Sequence, residues 1–230
     1  MESNSAGARP ALCDTVPGVM LFRALLPAVL FSLSCLAADW IDLTPPDTPL
    51  GKEVPGWTRV PIPPVGPVNP TMQWKVDAAS KTIVCTGQGG HEWLRYDKEF
   101  GDFVLELEWR FTPKPGETKY NSGIGVRLSR YGEIWYQAQT GLAGGWLFGV
   151  NLANGEMTRV NLREQMTENR VKPAGEWNKY EIRAEGGTIT LSVNGAVVNT
   201  LTGVSLRKGY IGLEAEGFEI AFRNIRIRPL

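Results

Sequence analysis

From Trp74 onward the chain alternates apolar and polar residues with a period of two, as strands that bury one face do. In Phe103-Val104-Leu105-Glu106-Leu107-Glu108-Trp109-Arg110-Phe111 the odd positions are apolar and the even ones mostly charged. Tyr180, Ile182 and Ala184 alternate with Lys179, Glu181, Arg183 and Glu185, and Ile189, Leu191 and Val193 share one face. Asn194-Gly195 then supplies the residue pair that a two-residue hairpin favours, and Gly186-Gly187 marks another tight turn just upstream. Near the C-terminus Ile220 and Phe222 have one parity while Ile225 and Ile227 have the other, so a β-bulge is predicted at Arg223-Asn224. Helical periodicity is nearly absent; residues 162–171 have room for one or two turns. Residues 44–70, rich in Pro, Gly and Thr, read as an irregular lead-in rather than a second domain. About eleven strands joined by short turns predict a meander folded into two packed antiparallel sheets, an all-β, jelly-roll-like sandwich.

Composition narrows the picture. The chain has 230 residues, 43% hydrophobic and 21% charged, which suits one substantial domain. Lys plus Arg and Asp plus Glu each number 24, so the formal net charge is zero. Without a basic surplus, nucleic acid is not an expected partner. One His and 3 Cys leave little material for a zinc site, and the sequence calls for neither a metal nor another cofactor. Residues 20–38 carry an early Arg23, an apolar stretch interrupted by Pro27, and small residues at the end. That reads as a secretory signal peptide, too interrupted for a membrane span. Residues 1–38 are therefore expected to be an N-terminal extension and signal, and residues 39–230 a periplasmic or secreted domain. Export with a lipid anchor at Cys35 is the alternative. Cleavage near Ala38 leaves Cys85 as the remaining cysteine, expected to be a small buried hydrophobe; a nucleophilic pairing with His91 is the competing role.

If the core explains one parity of each strand, chemistry belongs to the other. Asn121, Gly123, Gly125 and Arg127 share the non-core face of one strand, and Glu133, Trp135, Gln137 and Gln139 that of the next. Glu214 and Glu216 pair up in the same way. Glycines in a strand admit close approach by a ligand or backbone, and they leave open space in front of Arg127. Amides and carboxylates satisfy sugar hydroxyls while an indole covers the apolar side of a sugar ring, so carbohydrate is the expected partner. A plain solvated sheet face, with Arg127 paired to Glu106 or Glu108, is the alternative. Trp146, behind Gly144-Gly145, tips a loop that either closes over a ligand or plugs the sandwich edge.

Several stretches together resemble the 3-keto-disaccharide hydrolase family. They are Trp74 with its strand, Asp102 to Arg110, Asn121-Ser122-Gly123-Ile124, Gly175-Glu176-Trp177-Asn178, Val193-Asn194-Gly195, Gly209 to Glu214, and Phe222-Arg223-Asn224-Ile225. The resemblance implies a concanavalin A-like lectin/glucanase sandwich over residues 39–230. It also implies cleavage of glycosides whose 3-hydroxyl has been oxidised to a ketone, by removal of the C2 proton. On that reading Glu133 or Glu214 is the base, Asn121, Arg127 and Gln137 bind the sugar, and Trp135 or Trp146 stacks on it. Two positions depart from the family: Trp135 stands where a Glu precedes the Gln of Glu-x-Gln, and Glu214 replaces a Gln. A non-catalytic carbohydrate-binding module is therefore the second reading.

Overall fold

The computed structural model describes residues 39–141 and 144–230, so the proposed signal segment and Cys35 lie outside the described residues. Fifteen strands run in chain order. They are β1 Ile41–Asp42, β2 Trp57–Pro61, β3 Trp74–Asp77, β4 Thr82–Cys85, β5 Glu92–Phe100, β6 Phe103–Phe111, β7 Ser122–Leu128 and β8 Trp135–Thr140. The remainder are β9 Leu147–Ala153, β10 Glu156–Asn161, β11 Asn178–Glu185, β12 Thr188–Val193, β13 Ala196–Thr202, β14 Gly209–Ala215 and β15 Ile220–Pro229. One sheet has the order β13-β12-β11-β6-β15-β4-β3 with β1 added on β15, and the other β10-β9-β8-β7-β14-β5-β2. All pairings of named strands are antiparallel. The fold is thus the expected two-sheet sandwich, but not a simple meander. β14 inserts between β7 and β5, and β15 between β6 and β4, so the last two strands sit in the middle of the two sheets.

Alternation places the core as the sequence predicts. Tyr180, Ile182, Ala184, Ile189, Leu191 and Val193 are fully buried, as are Phe103, Leu105 and Leu107. Trp109 meets Tyr180 and Phe111 edge-on at ring separations of 5.5 and 5.6 Å, a geometry that adds to the burial of each ring. Asn194 and Gly195 both take positive φ in the β12–β13 turn. The bulge between Arg223 and Arg226 lets Ile220, Phe222, Ile225 and Ile227 all reach the core. Cys85 is fully buried, with its thiol against Gln73, and burial pushes its pKa up to about 12. No nucleophile is available there, and His91 is engaged elsewhere. Helix is limited to the single 3-10 turn Arg163–Gln165 among the described residues, none of which forms a helix long and apolar enough to cross a membrane. The Pro-rich lead-in is more ordered than its composition suggests: β2 lies within it and forms an edge of the second sheet, where Pro61 closes the strand.

β7 departs from alternation, and that changes the role of Arg127. The β7–β14 register shifts so that Tyr210 opposes Leu128 while Gly212 opposes Gly125. Arg127 takes a left-handed φ of 49° at this irregularity. Its side chain turns inward and is 0% exposed, while Leu128 moves out to pack with Val60 and Trp93. The guanidinium donates to the carbonyls of Gly186 (2.6 Å), Leu206 (3.2 Å) and Gly101 (3.2 Å) and to Asp102 Oδ1 (2.7 Å). Asp102 Oδ1 also accepts from the Gly186 amide at 2.9 Å. Arg127 therefore ties three connections together at one end of the sandwich. It neither faces open space nor pairs with Glu106 or Glu108.

Candidate active site

The outward face of the second sheet holds a cavity of about 520 Å³. Its floor is built from side chains that lie across glycines. Gly123 opposes Gln139 on β8, and the Gln137 side chain lies across it to reach Glu214 on β14, leaving no room there for a Cβ. Gly125 and Gly212 make similar room for Leu128 and Trp93. The expected close approach is thus made by neighbouring side chains.

The two ends of the cavity differ in chemistry. At one end Trp93 and Trp135 lie 6.4 Å apart, and Phe148 meets Trp135 edge-on at 5.0 Å. At the other, Glu214 is 4% exposed and its Oε2 accepts from Gln137 Nε2 at 2.7 Å. Its Oε1 lies 2.8 Å from His91 Nε2, which is 4.0 Å from Glu216 Oε2. Gln137 also donates to Gln139 Oε1 at 3.0 Å, and Gln139 donates to Asn121 Oδ1, so one amide chain crosses three strands to hold Glu214. Burial and the Glu214 charge raise the Glu216 pKa, against a hydrogen bond from Asn121. Burial lowers the proton affinity of His91, but the hydrogen bond and charge of Glu214 outweigh it and the net shift is upward. This end is built to hold and exchange a proton. One nitrogen and two carboxylate oxygens close together are also metal-ligand atoms.

Asn121, Glu133, Trp135, Gln137 and Glu214 all line this cavity, whereas Arg127 does not. Glu133 is exposed beyond the apolar end, accepting from the Ser129 hydroxyl at 2.7 Å, far in character from the buried Glu214. Trp146 stands behind the wall: its ring lies 6.3 Å from Phe148 and Arg163 covers it at 5.2 Å, the arrangement of a plug at the sheet margin. Residues 142 and 143 of its loop lie outside the described residues. Sequence reasoning passed over His91 as a site residue. Alternation along β5 gave the available signal, since Leu94 faces the core and His91, Trp93 and Arg95 take the opposite parity. It also left Glu216 unused, although Glu216 shares the parity of Glu214.

Solved structures of similar fold include a provisionally assigned glycosyl hydrolase from Parabacteroides distasonis, at 16% identity and a TM-score of 0.54 over 78% of this chain and 91% of that one. A carbohydrate-binding module from Bacillus subtilis matches at 16% identity and 0.53, over 75% and 95%. A β-glucanase from Bacillus licheniformis matches at 13% and 0.50, over 84% and 98%. The fold is a two-sheet β-sandwich like those of the carbohydrate-binding module and the β-glucanase. The chain belongs to the family of 3-keto-alpha-glucoside-1,2-lyase-like domains, whose model matches residues 39–228. Among curated proteins no sequence match is found.

Proposed function

We propose that this protein cleaves 3-keto glycosides by elimination across C1 and C2, in the cavity of the second sheet, after export from the cytoplasm. The observation that carries this reading is the joining of the His91–Glu214–Glu216 cluster to an aromatic wall in one cavity, in a chain of this family. A C3 ketone acidifies the C2 hydrogen. A carboxylate takes that proton, and the C–H electron pair forms the C2=C3 enolate. Collapse of the enolate restores the ketone, forms C1=C2 and expels the glycosidic oxygen, which takes up a proton. The route needs one base and donors for the enolate oxygen, not two carboxylates at fixed separation. Glu216 suits the base: it is half-buried, and Glu214 beside it raises its affinity for a proton. Glu214 is committed to Gln137 and His91 and positions the cluster. Asn121 supplies a donor, Gln137 orients Glu214 with both its amide hydrogens committed, and Trp135 and Trp93 supply the stacking surface.

The test is incubation of the purified protein with 3-keto and ordinary glucosides, following release of the aglycone and the ultraviolet absorbance of the conjugated enone. Release from the 3-keto substrate alone supports elimination. Trp135, at the position of a family Glu, favours the second reading of a carbohydrate-binding module. Binding of glycans without turnover, unaltered in Glu216→Gln, would establish that reading instead.

A further inference from the structure

We propose that His91, Glu214 and Glu216 form a binding site for one divalent transition-metal ion at the polar end of the cavity. One ligand atom from each residue lies within 4.8 Å of the other two. Bonds of about 2.0–2.2 Å from an ion to nitrogen and oxygen set neighbouring ligands roughly 3 Å apart, so closure needs shifts of about an ångström. His91 Nε2 and Glu214 Oε1 already stand 2.8 Å apart.

Charge balance is the independent observation. Among the described residues two glutamates are buried, Glu92 and Glu214. Glu92 has a permanent cation, Arg59 Nη2 at 2.7 Å, and further donors in Trp74 Nε1 and Gln73 Nε2 at 2.8 and 2.9 Å. Glu214 has an amide and an imidazole, and among the described residues no Lys or Arg forms a salt bridge with it or with Glu216. A buried carboxylate without a fixed cation is costly unless a proton or a metal ion compensates it. The surroundings are also those of a ligand set: Gln137 engages Oε2 of Glu214 while its Oε1 faces His91, and Asn121 bonds Glu216.

Three protein ligands leave positions open, as in catalytic rather than structural sites. An imidazole with two carboxylates suits Zn²⁺ or Mn²⁺ better than Ca²⁺, which takes six to eight oxygens. The open positions face the cavity in which the proposed function places the sugar. The ketone and adjacent hydroxyl oxygens of a 3-keto sugar would fill two of them, and the ion would offset the enolate charge while the second oxygen of Glu216 takes the C2 proton. That last step rests on the proposed function; binding of the ion does not.

The test uses the full chain, stripped by a chelator and dialysed against Zn²⁺, Mn²⁺ or Ca²⁺, with metal analysis, calorimetry and melting curves. One Zn²⁺ or Mn²⁺ per chain is expected, with Ca²⁺ weaker and a rise in melting temperature that grows with ion concentration. His91→Ala and Glu216→Gln should each weaken binding at least tenfold. His91 is exposed, so its variant is expected to fold. Absence of stoichiometric binding, or equal binding in both variants, overturns the site. Stoichiometric binding without turnover of 3-keto glycosides supports the site and counts against the elimination reading. Turnover by a protein that binds no ion does the reverse.

Discussion

The two outward faces of the sandwich use the same alternation for opposite ends. On the first sheet β11 alternates buried and exposed residues without a break, and its outward Lys179, Arg183 and Glu185 form ion pairs. Glu106 binds Arg226 and Lys179, Glu108 binds Arg223, and Arg183 binds Glu185. Arg110 and Arg223 cover Trp177, and Arg226 and Arg228 cover Trp40. Such a face is a solvated surface. On the second sheet all seven residues of β7 are buried, although one side of it has no partner sheet. Side chains lying across glycines cover that side, and the cavity carboxylates Glu214 and Glu216 are held by amides and an imidazole rather than by Lys or Arg. Being dry without being core distinguishes this face of the second sheet from that of the first.

The comparison breaks most readily at Glu216. Glu216→Gln should lower turnover of a 3-keto glycoside about 10³-fold, equivalent to about 4 kcal/mol of transition-state stabilisation, with little change in melting temperature. Glu106→Gln on the other face should leave turnover unchanged. Equal effects of the two substitutions on turnover would remove the functional distinction between the faces.

Where alternation holds, the sequence is a good guide. Core positions on β6, β11 and β12, the Asn194-Gly195 turn and the C-terminal bulge all follow from parity and turn chemistry. It fails where an irregularity is set by tertiary contacts. The left-handed Arg127 has no local signal, because a Gly-rich strand ending in Arg-Leu gives no sign that the two side chains exchange faces. The Gly101, Gly186 and Leu206 carbonyls that draw the guanidinium inward come from distant stretches of sequence. Likewise, a count of histidines carries no sign that the adjacency of β5 and β14 brings His91 beside Glu214 and Glu216. Edge strand β2 was hidden by prolines, which an edge tolerates and a central strand does not.

Arg127→Ala should cost about 2–3 kcal/mol in stability, from several buried charged hydrogen bonds whose acceptors lose their donor. Asp102, being partly exposed, regains water and limits the loss. Chemical denaturation would show it, and glycan binding at low temperature should persist. Loss of binding without loss of stability would return Arg127 to the cavity.

Gly123→Ala sharpens the contrast further. Gly123 is not among the residues with positive φ, so the new methyl is opposed by the Gln137 side chain and not by backbone conformation. Gln137 should swing away, freeing Glu214 Oε2 and reducing turnover or binding about tenfold, about 1.4 kcal/mol. Gly187, by contrast, makes room for the Arg207 guanidinium away from the cavity, so Gly187→Ala should leave turnover unchanged.

The smallest effect belongs to the first face. Burial of Glu106 favours its protonated form, but the hydrogen bonds and charges of Arg226 and Lys179 outweigh this and hold its carboxyl below the ordinary 4.5. A lowered pKa in the folded state means that the unfolded chain binds the proton more readily. The stabilisation is therefore complete above the unfolded value and is lost as pH falls through the folded one. Arg226 and Lys179 are half-exposed, so solvent screening limits the pair to about 0.5–1 kcal/mol. Glu106→Gln, which resembles the protonated carboxyl, should be less stable than wild type by that amount at pH 7, with a smaller gap at pH 3. Denaturation curves at the two pH values, at low and high salt, would show the difference shrinking with either acid or salt. A gap undiminished at pH 3 would mean that Glu106 acts through packing, and that the charges of this face are more than solvated pairs.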